Sequence, residues 1–423
     1  MFTSTSPFRE LQPVPAGAVQ LTQGFWAERF KVCHEVMVPH MWDLLRDDSI
    51  SHAYKNFRIA AGFESGEHHG PKWHDGDFYK WLEAAAHIYS VTHDESLDLL
   101  MDEIIETIRL SQREDGYIHT PVIIDERKGS HAQSFQERLH FETYNMGHLM
   151  TAACAHNQAT GKQTLMEVAR AAADYLYNFY KTATVELARN AICPSHYMGM
   201  VDMYRQTGEP RYLELARNLV EIRDLVTNGG DDNQDRVPFR EQATAVGHAV
   251  RANYLYAGVA DIYMETGDPK LLATLENLWR SVTTTKMHVT GGCGALYDGA
   301  SSDGAVDQST ITRVHQAYGR EYQLPNVTAH NETCANLGNL FWNWRMLSVT
   351  GEARFADIAE RVLYNSALVS ISLDGKRYFY TNALRQVDDL PFELRWGRSR
   401  EAYISCFCCP PNIVRTIAQV GSY

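Results

Sequence analysis

The stretch MVDMYRQTGEPRYLELARNLVEI, residues 200–222, predicts two helices joined by a very short turn. Apolar residues recur at helical spacing on both sides of the turn Thr-Gly-Glu-Pro. Glycine suits the position just past a helix C-terminus, and an acidic residue followed by proline suits the start of the next helix. We therefore interpret this stretch as a helical hairpin.

The same kind of turn recurs along the chain, which indicates a repeated helical hairpin. In each case an amphipathic helix ends in a tight polar turn, and another helix follows immediately. The turns are SVTHDES around Thr92, ATGKQT at Thr160, QTGEPRY at Thr207, ETGDPKL at Thr266 and VTGEARF at Thr350.

Twelve helices are predicted, and their pairing by short turns predicts the fold class. They begin near Trp26, Asp77, Glu95, Tyr144, Gln163, Ser195, Pro210, His248, Pro269, Thr333, Glu352 and Asn412. We expect an all-α (α/α)6 toroid, a barrel in which the first helix pairs with the last to close the ring. A helical solenoid is the structural alternative, but the spacing between the turns is too irregular for a regular array.

The connections between the hairpins are much longer than the turns within them. They cover residues 112–142, 227–245, 286–331 and 371–409. In the last of these, SLDGKRYFYTNAL alternates like a short β-hairpin around Asp374-Gly375. Loops of this length in a compact domain are usually functional or disordered. We therefore expect the functional site on the rim of the toroid that carries the long loops.

Composition and net charge argue against some classes of binding partner. The chain has 423 residues, of which 44% are hydrophobic and 22% charged, and its net charge is −13. No apolar run approaches a membrane span, and the N-terminus lacks the pattern of a signal peptide. The acidic balance argues against nucleic acid or an anionic membrane as a partner.

We expect a toroid over residues 25–423, preceded by an extension over residues 1–24.

Two pairs of residues lie just before helices that begin abruptly, in HNETCANLGNLFWNWRML and CFCCPPNIVRTIAQV. The pairs are Glu332 with Cys334, and Cys408 with Cys409. One carboxylate and three thiolates form an acceptable tetrahedral zinc site, and two facing helix N-termini would offset its surplus negative charge. We therefore predict a Zn²⁺ site at these four residues, with iron left open as the metal.

Adjacent cysteines are poor disulfide candidates, so a cytoplasmic setting is favoured, although a processed secreted or periplasmic form is left open.

The alternative is that these are ordinary buried cysteines, since free cysteine is among the most buried residue types. That interpretation is preferred for the cysteines that occur singly, which are Cys33, Cys154, Cys193 and Cys293. Cys406 fits either interpretation. It could replace Cys408 or Cys409 as a ligand, or it could face the core.

Polar and aromatic residues near the same rim indicate a sugar as substrate. His148, His196 and His248 lie early in three helices, so we predict that they share one cavity. Aromatic faces such as those of Trp73 and Tyr380 contact sugar C–H groups, while imidazoles reach hydroxyls. Metal coordination would keep a thiolate ready for nucleophilic attack. The combination suggests a retaining glycoside hydrolase with a cysteine nucleophile.

The stretches YQLPNVTAHNETCAN and CFCCPPN, with GHAVRANYLYAG and YKWLEAA, resemble glycoside hydrolase family 127, the β-L-arabinofuranosidase family. The resemblance runs from about Phe25 to the end of the chain. It implies an (α/α)6 catalytic domain, zinc held by the four residues above, and Cys408 as the nucleophile. The residues that it implies for sugar binding are His148, His196, His248, Tyr380 and, more weakly, Glu360.

Two departures from the family pattern bear on the activity. The family's acid/base glutamate lies six residues before the Tyr of a Tyr-x-Leu-Pro-Asn motif, and here that position is Gln316. General acid/base catalysis is worth about 10²–10⁴-fold, and an amide cannot supply it. Either Glu321 or His315 substitutes, with Glu321 preferred, or the substrate supplies its own proton, or nothing is cleaved. Family members also carry β-sandwich domains after the toroid, so the end at Tyr423 predicts a natural variant or a fragment.

The sequence thus predicts a hydrolase that acts on a β-L-arabinofuranoside or a related sugar in a small oligosaccharide or glycan. A homodimer is left open. Gln316 motivates one alternative, a non-catalytic carbohydrate-binding toroid with structural zinc. A sugar epimerase is a second alternative, because histidine-lined helical toroids also support proton abstraction, but it leaves the cysteine cluster without a role.

Overall fold

The predicted short turns join helices in a computed structural model of the protein, which describes residues 6–15, 17–130, 133–191, 193–296, 316–387 and 396–423. The helices are α1 (Phe25–Val32), α2 (Val38–Arg46), α3 (Ala53–Ala61), α4 (His74–Thr92), α5 (Glu95–Ser111), α6 (Thr120–Arg127), α7 (Glu142–Thr160), α8 (Thr164–Tyr180), α9 (Val185–Asn190), α10 (Ser195–Thr207), α11 (Pro210–Arg223), α12 (Ala249–Thr266), α13 (Pro269–Thr285), α14 (Thr333–Thr350), α15 (Ala353–Arg361) and α16 (Cys409–Ala418).

The threonine hydroxyl of each short turn donates to a carbonyl of the preceding helix, and in four of the five turns it also accepts from a backbone amide. In the turn between α10 and α11, the Thr207 hydroxyl donates to the Met203 carbonyl at 2.7 Å and accepts from the Glu209 amide at 3.2 Å. Gly208 follows in the left-handed conformation at φ 73°, which a side chain would disfavour. The threonine hydroxyl donates to a carbonyl in the last turn of the helix. The glycine then reverses the chain direction, so the Thr-Gly pair ends the helix by local interactions.

Six helices form the inner ring. Helices α4, α7, α10, α12, α14 and α16 contact one another in that order, and α16 returns to contact α4. Helices α5, α8, α11, α13 and α15 form the outer layer. The sixth outer position is taken by α1, α2 and the π-helical segment Cys33–Met37 between them, which contacts α16. The predicted all-α (α/α)6 toroid is confirmed, including the pairing of the first helix with the last.

The two ends of the ring differ, as the connection lengths predict. At the short-turn end, the backbone amides of Phe8 and Glu10 donate to carbonyls at the ends of α12 and α14, so the N-terminal residues lie across this end. The long loops lie at the other end, which we call the long-loop end. Helix α6 lies in the first of these loops, whereas α3 and α9 lie in the connections before α4 and α10; none of the three was predicted.

The described residues contain very little β-structure. Strands β1 (Gly247–His248) and β2 (Ala317–Tyr318) pair antiparallel. The hairpin predicted around Asp374-Gly375 is shorter than expected, because only one bridge, between Ile371 and Tyr378, closes it. In the part of the chain that the structure describes, no helix has both the length and the apolarity needed to cross a bilayer.

Candidate active site and metal centre

The four predicted metal ligands converge at the long-loop end of the ring. Glu332 is the N-cap of α14 and Cys334 lies in its first turn, while Cys408 is the N-cap of α16 and Cys409 begins it. One ligand atom from each residue lies within 4.8 Å of the other three. The Glu332 Oε1 atom is 3.5 Å from the Cys408 Sγ and 3.7 Å from the Cys409 Sγ. We call these four residues the ligand cluster.

Local structure explains why both helices begin at this point. The amide of Thr333 donates to the Tyr380 carbonyl, which holds the start of α14 against the last long loop. In α16, Pro410 and Pro411 occupy the first turn, where a missing N–H leaves no unsatisfied donor. The chain therefore delivers both pairs of ligands from helix starts, where side chains two residues apart can converge.

Burial limits the negative charge that the ligand cluster can hold by itself. Burial raises the pKa of Glu332 well above its usual range, and the Cys334 sulfur adds to this shift. Hydrogen bonds with Cys334 and Cys406 raise the pKa of Cys408, and burial raises that of Cys409. Burial opposes ionisation of Cys334 too, but hydrogen bonds with its two neighbouring thiols bring its pKa well below the usual value.

A bound cation would offset the raised pKa values of Glu332, Cys408 and Cys409. A thiophilic divalent cation would allow the carboxyl and all three thiols to ionise together, which burial otherwise prevents. The Glu332 Oε2 atom is buried and has no hydrogen-bond partner among the described residues, so it too is available to such an ion. The residues present therefore fit a zinc-type metal.

Cys406 lies beside the ligand cluster. Its sulfur is 3.8 Å from the Cys408 Sγ and 3.6 Å from the Tyr380 hydroxyl, and it is partly exposed. It lines a cavity beside the cluster and also packs against the hydrophobic core. The cysteines that occur singly, Cys33, Cys154, Cys193 and Cys293, are buried and lie outside the ligand cluster.

A cavity of about 520 Å³ opens above the ligand cluster. Glu332, Cys334 and Cys408 line its base. Its walls carry the aromatic side chains Trp73, Phe141, Tyr144, Tyr254, Tyr380 and Trp396. A cavity with aromatic walls and a small number of polar groups is the usual form of a small-molecule site.

The three predicted histidines do not share this cavity. His248 lines it, but His148 and His196 do not. His148 is buried behind the wall, with its ring against those of Tyr144 and Tyr254, and it lines a separate cavity. The sequence could not show this separation, because it places each histidine near a helix start but does not fix the rotation of the helix. Their predicted contact with a sugar stays a prediction.

Gln316 and Tyr380 both lie at the cavity. The Gln316 side-chain amide donates to the Tyr380 hydroxyl at 3.1 Å, and that hydroxyl is 4.0 Å from the Cys408 Sγ. Burial raises the pKa of Tyr380 well above its usual range, so the hydroxyl stays neutral. Its ring stacks on Trp396, with centroids 4.0 Å apart.

Two predicted carboxylates lie away from the cavity. Glu321 is exposed in a turn, where Lys286 is its charged neighbour, and it does not line the cavity. Glu360 is exposed on α15 in the outer layer. The structure therefore does not place Glu321 as an acid/base or Glu360 as a sugar contact, because both side chains face solvent. His315, the other predicted substitute, lies outside the described residues.

Lys80 is a site residue that the sequence analysis missed. It is fully buried on α4, and its ammonium contacts Asp77, Tyr144 and the carbonyl of Cys408. The sequence did carry a signal, because Asp77 and Lys80 are one helical turn apart and therefore lie on the same face of the helix. A charge pair on a helix that is buried all round implies a specific partner.

Known proteins resemble this chain over almost its whole length. The family model described as "Beta-L-arabinofuranosidase, GH127 catalytic domain" matches residues 18–422. A non-reducing end β-L-arabinofuranosidase of Bifidobacterium longum subsp. longum is 32% identical, and the alignment covers 96% of this chain and 65% of that protein.

Two solved structures extend this comparison. One is described as a glycoside hydrolase and is 52% identical, with a TM-score of 0.83 over 100% of this chain and 62% of that one. The other is the GH127 β-L-arabinofuranosidase Ara127N of Geobacillus stearothermophilus T6, which is 32% identical with a TM-score of 0.84. That match covers 96% of this chain and 65% of the solved one. The chain thus spans 62–65% of the length of these three relatives.

Proposed function

The chain belongs to glycoside hydrolase family 127, and we propose that it hydrolyses a β-L-arabinofuranoside or a related sugar with Cys408 as the nucleophile. One observation carries the proposal: the sulfur of Cys408 belongs to the ligand cluster and also faces the cavity. Cys408 is 9% exposed, whereas Cys334 is 2% and Cys409 0% exposed. Of the three sulfurs in the cluster, that of Cys408 is therefore the best placed to meet a substrate.

The proposed reaction is a double displacement at the anomeric carbon. The sulfur of Cys408 attacks this carbon, and the bond to the aglycone oxygen breaks, with its electron pair leaving on that oxygen. Water then attacks the same carbon and loses one proton to solvent, which also protonates the aglycone anion; the carbon–sulfur bond breaks, and the sulfur recovers its electron pair. Two inversions leave the anomeric configuration retained.

The residues around Cys408 support binding of a sugar. A zinc ion held by the ligand cluster would keep the Cys408 sulfur in its thiolate form at neutral pH. The hydroxyl of Tyr380 and the imidazole of His248 can reach sugar hydroxyls, and the faces of Trp73 and Trp396 can cover its C–H groups. The expected substrate is a terminal sugar on a small oligosaccharide or glycan.

Proton transfer to the aglycone is the step that the described residues support least. Among the described residues that line the cavity, Glu332 is the only carboxyl group, and it belongs to the ligand cluster. The amide of Gln316 occupies the wall beside Tyr380 and cannot donate and reclaim a proton as a carboxyl does. We therefore expect faster cleavage of glycosides whose aglycones leave readily without a proton.

Substitution of Cys408 by serine tests the proposal. We expect Cys408→Ser to lose at least about 10³-fold in kcat on a 4-nitrophenyl β-L-arabinofuranoside, because a serine hydroxyl is a far weaker nucleophile. Cys154→Ser, at a buried cysteine outside the ligand cluster, should retain the wild-type rate. Hydrolysis that survives undiminished in Cys408→Ser would refute the nucleophile.

A non-catalytic sugar-binding toroid with a structural metal is the second candidate. The position of Gln316 at the cavity wall favours it, because this residue supplies no acid. This candidate predicts saturable binding of the sugar without turnover of any glycoside, including those with the best leaving groups. Calorimetry with L-arabinose, run beside the 4-nitrophenyl assay, separates the two candidates.

A further inference from the structure

Lys80 contacts the backbone of the proposed nucleophile from below the cavity. Its ammonium donates to the Cys408 carbonyl at 3.3 Å and lies 3.2 Å from the Asp77 carboxylate. It also contacts the hydroxyl of Tyr144, whose ring centroid is 4.9 Å away. These contacts join three inner helices, since Lys80 and Asp77 are on α4, Tyr144 on α7 and Cys408 at the start of α16.

An ion pair buried this deeply is a weak source of stability. Removing two charges from water is costly, and apolar replacements of similar size are often neutral or stabilising. The side chains of Lys80 and Asp77 are 0% and 1% exposed. The pair alone therefore gives little reason for a lysine here. An apolar replacement would lose the hydrogen bond to the Cys408 carbonyl, and a neutral donor would make it without a positive charge.

The contact matters because the Cys408 carbonyl belongs to the peptide at the start of α16. Cys408 is the N-cap of α16, so fixing its peptide fixes the direction in which the side chains of Cys408 and Cys409 leave the backbone. The ligand cluster, once ionised around a divalent cation, carries four negative charges against two positive, a surplus of two. A positive charge beside Cys408 opposes that surplus.

We propose that Lys80 is a positioning residue of the metal centre, which holds the Cys408 carbonyl and stabilises the charged cluster through its ammonium. This inference rests on the proposed metal centre. Asp77 has a smaller role at the metal centre, because it pairs with the ammonium of Lys80 but does not contact the peptide of Cys408.

Zinc retention tests the assignment without any assay of activity. Wild type, Lys80→Met, Asp77→Asn and the double variant are loaded with zinc, and the rate of zinc transfer to a chromogenic chelator is measured with the Tm of each protein. We expect release at least about 10-fold faster in Lys80→Met and in the double variant, since metal sites usually lose 10–100-fold in affinity without their supporting partners. Asp77→Asn should release zinc at the wild-type rate.

A second buried cation provides the matched control. Arg205 on α10 pairs with Asp261 on α12 at 2.8 Å, so it joins two inner helices at the short-turn end, opposite the ligand cluster. Arg205→Met should lower the Tm but leave zinc release unchanged. If Lys80→Met does not fold, the double variant, which leaves no unpaired buried charge, supplies the measurement.

The possible results separate the role of Lys80 from the existence of the metal centre. Wild type that binds no zinc would overturn the proposed metal centre and this inference with it. Zinc bound by wild type but released equally slowly from Lys80→Met and the double variant would overturn the role of Lys80 alone. Equal acceleration in Asp77→Asn or Arg205→Met would also overturn it, because any broken ion pair would then suffice.

Discussion

Gln316 and Tyr380 determine what kind of proton transfer the cavity can support. The Tyr380 hydroxyl accepts a hydrogen bond from Gln316 and stays neutral because burial raises its pKa. The hydroxyl can therefore donate a hydrogen bond to a substrate oxygen, but it is a poor acid at neutral pH. Gln316 adds a fixed dipole and no exchangeable charge. The pair orients a sugar more readily than it protonates a leaving group.

Replacing Gln316 by glutamate should supply the missing acid. We expect Gln316→Glu to raise kcat/KM for alkyl glycosides by about 10²–10⁴-fold, the usual worth of a general acid. 4-Nitrophenyl glycosides should change little, since a nitrophenolate leaves without a proton. The measurement is the slope of log(kcat/KM) against aglycone pKa, which should be steep in wild type and shallow in the variant.

The control for this change is Gln323→Glu, in the same loop but outside the cavity, where the side chain accepts from the Arg320 amide. It should leave the slope unchanged. Absence of any gain in Gln316→Glu would favour the sugar-binding toroid.

The inner helices pack closely because small residues lie where they cross. Gly147 on α7 faces the start of α10, and Gly199 on α10 faces Gly147 in return. Gly258 on α12 lies against Tyr197, and Gly338 on α14 lies against Asn253. These approaches bring the helix starts together around the cavity base, so the ligand cluster depends on their spacing.

A methyl group at Gly147 should therefore destabilise the ring. An added Cβ would lie 2.4 Å from the His196 amide nitrogen and 2.5 Å from the Ser195 Oγ, so the helices would have to separate. We expect Gly147→Ala to lower the free energy of unfolding in urea by about 1–3 kcal/mol, the usual range for overpacking. Gly230→Ala, where the nearest atom is 3.9 Å away, should be close to neutral. Equal effects in the two variants would contradict this explanation.

Buried charges link the inner ring at its short-turn end. Arg205 on α10 contacts Asp261 at 2.8 Å and Glu265 at 2.7 Å, both on α12, and Arg345 on α14 contacts Asp261 at 2.5 Å. Ion pairs therefore link the inner helices at one end of the ring, while the ligand cluster lies at the other. Asp202, beside these ion pairs, faces a cavity at this end.

Asp202 should make the stability of the whole molecule depend on pH. Burial, with the nearby Asp261 carboxylate, raises the pKa of Asp202 from 3.8 to about 7. The folded protein therefore favours the protonated carboxyl, so stability is greatest below the unfolded pKa and falls as the pH rises from about 4 to 7. Asp202→Asn should raise the Tm relative to wild type more at pH 8 than at pH 4, by differential scanning calorimetry. A difference that does not change with pH would count against this assignment.

The helices were predictable because their signals are local. Each of the twelve predicted starts lies within three residues of an observed helix start, since turn chemistry and periodicity act over a few residues. The ligand cluster was also predictable, because its members lie at two helix starts that prolines and apolar spacing mark. Neither kind of signal indicates which way a loop side chain points, so the exposure of Glu321 could not be predicted.

The sequence by itself determined the hairpins, their assembly into a closed ring and the choice of four residues that meet at one end. Only the tertiary structure decided that His148 lies behind the cavity wall, that Gln316 contacts Tyr380, and that Lys80 contacts the Cys408 carbonyl. The physical reason is distance along the chain. Lys80 and Cys408 are 328 residues apart, and their contact depends on how six packed helices rotate about their axes, which no short stretch of sequence specifies.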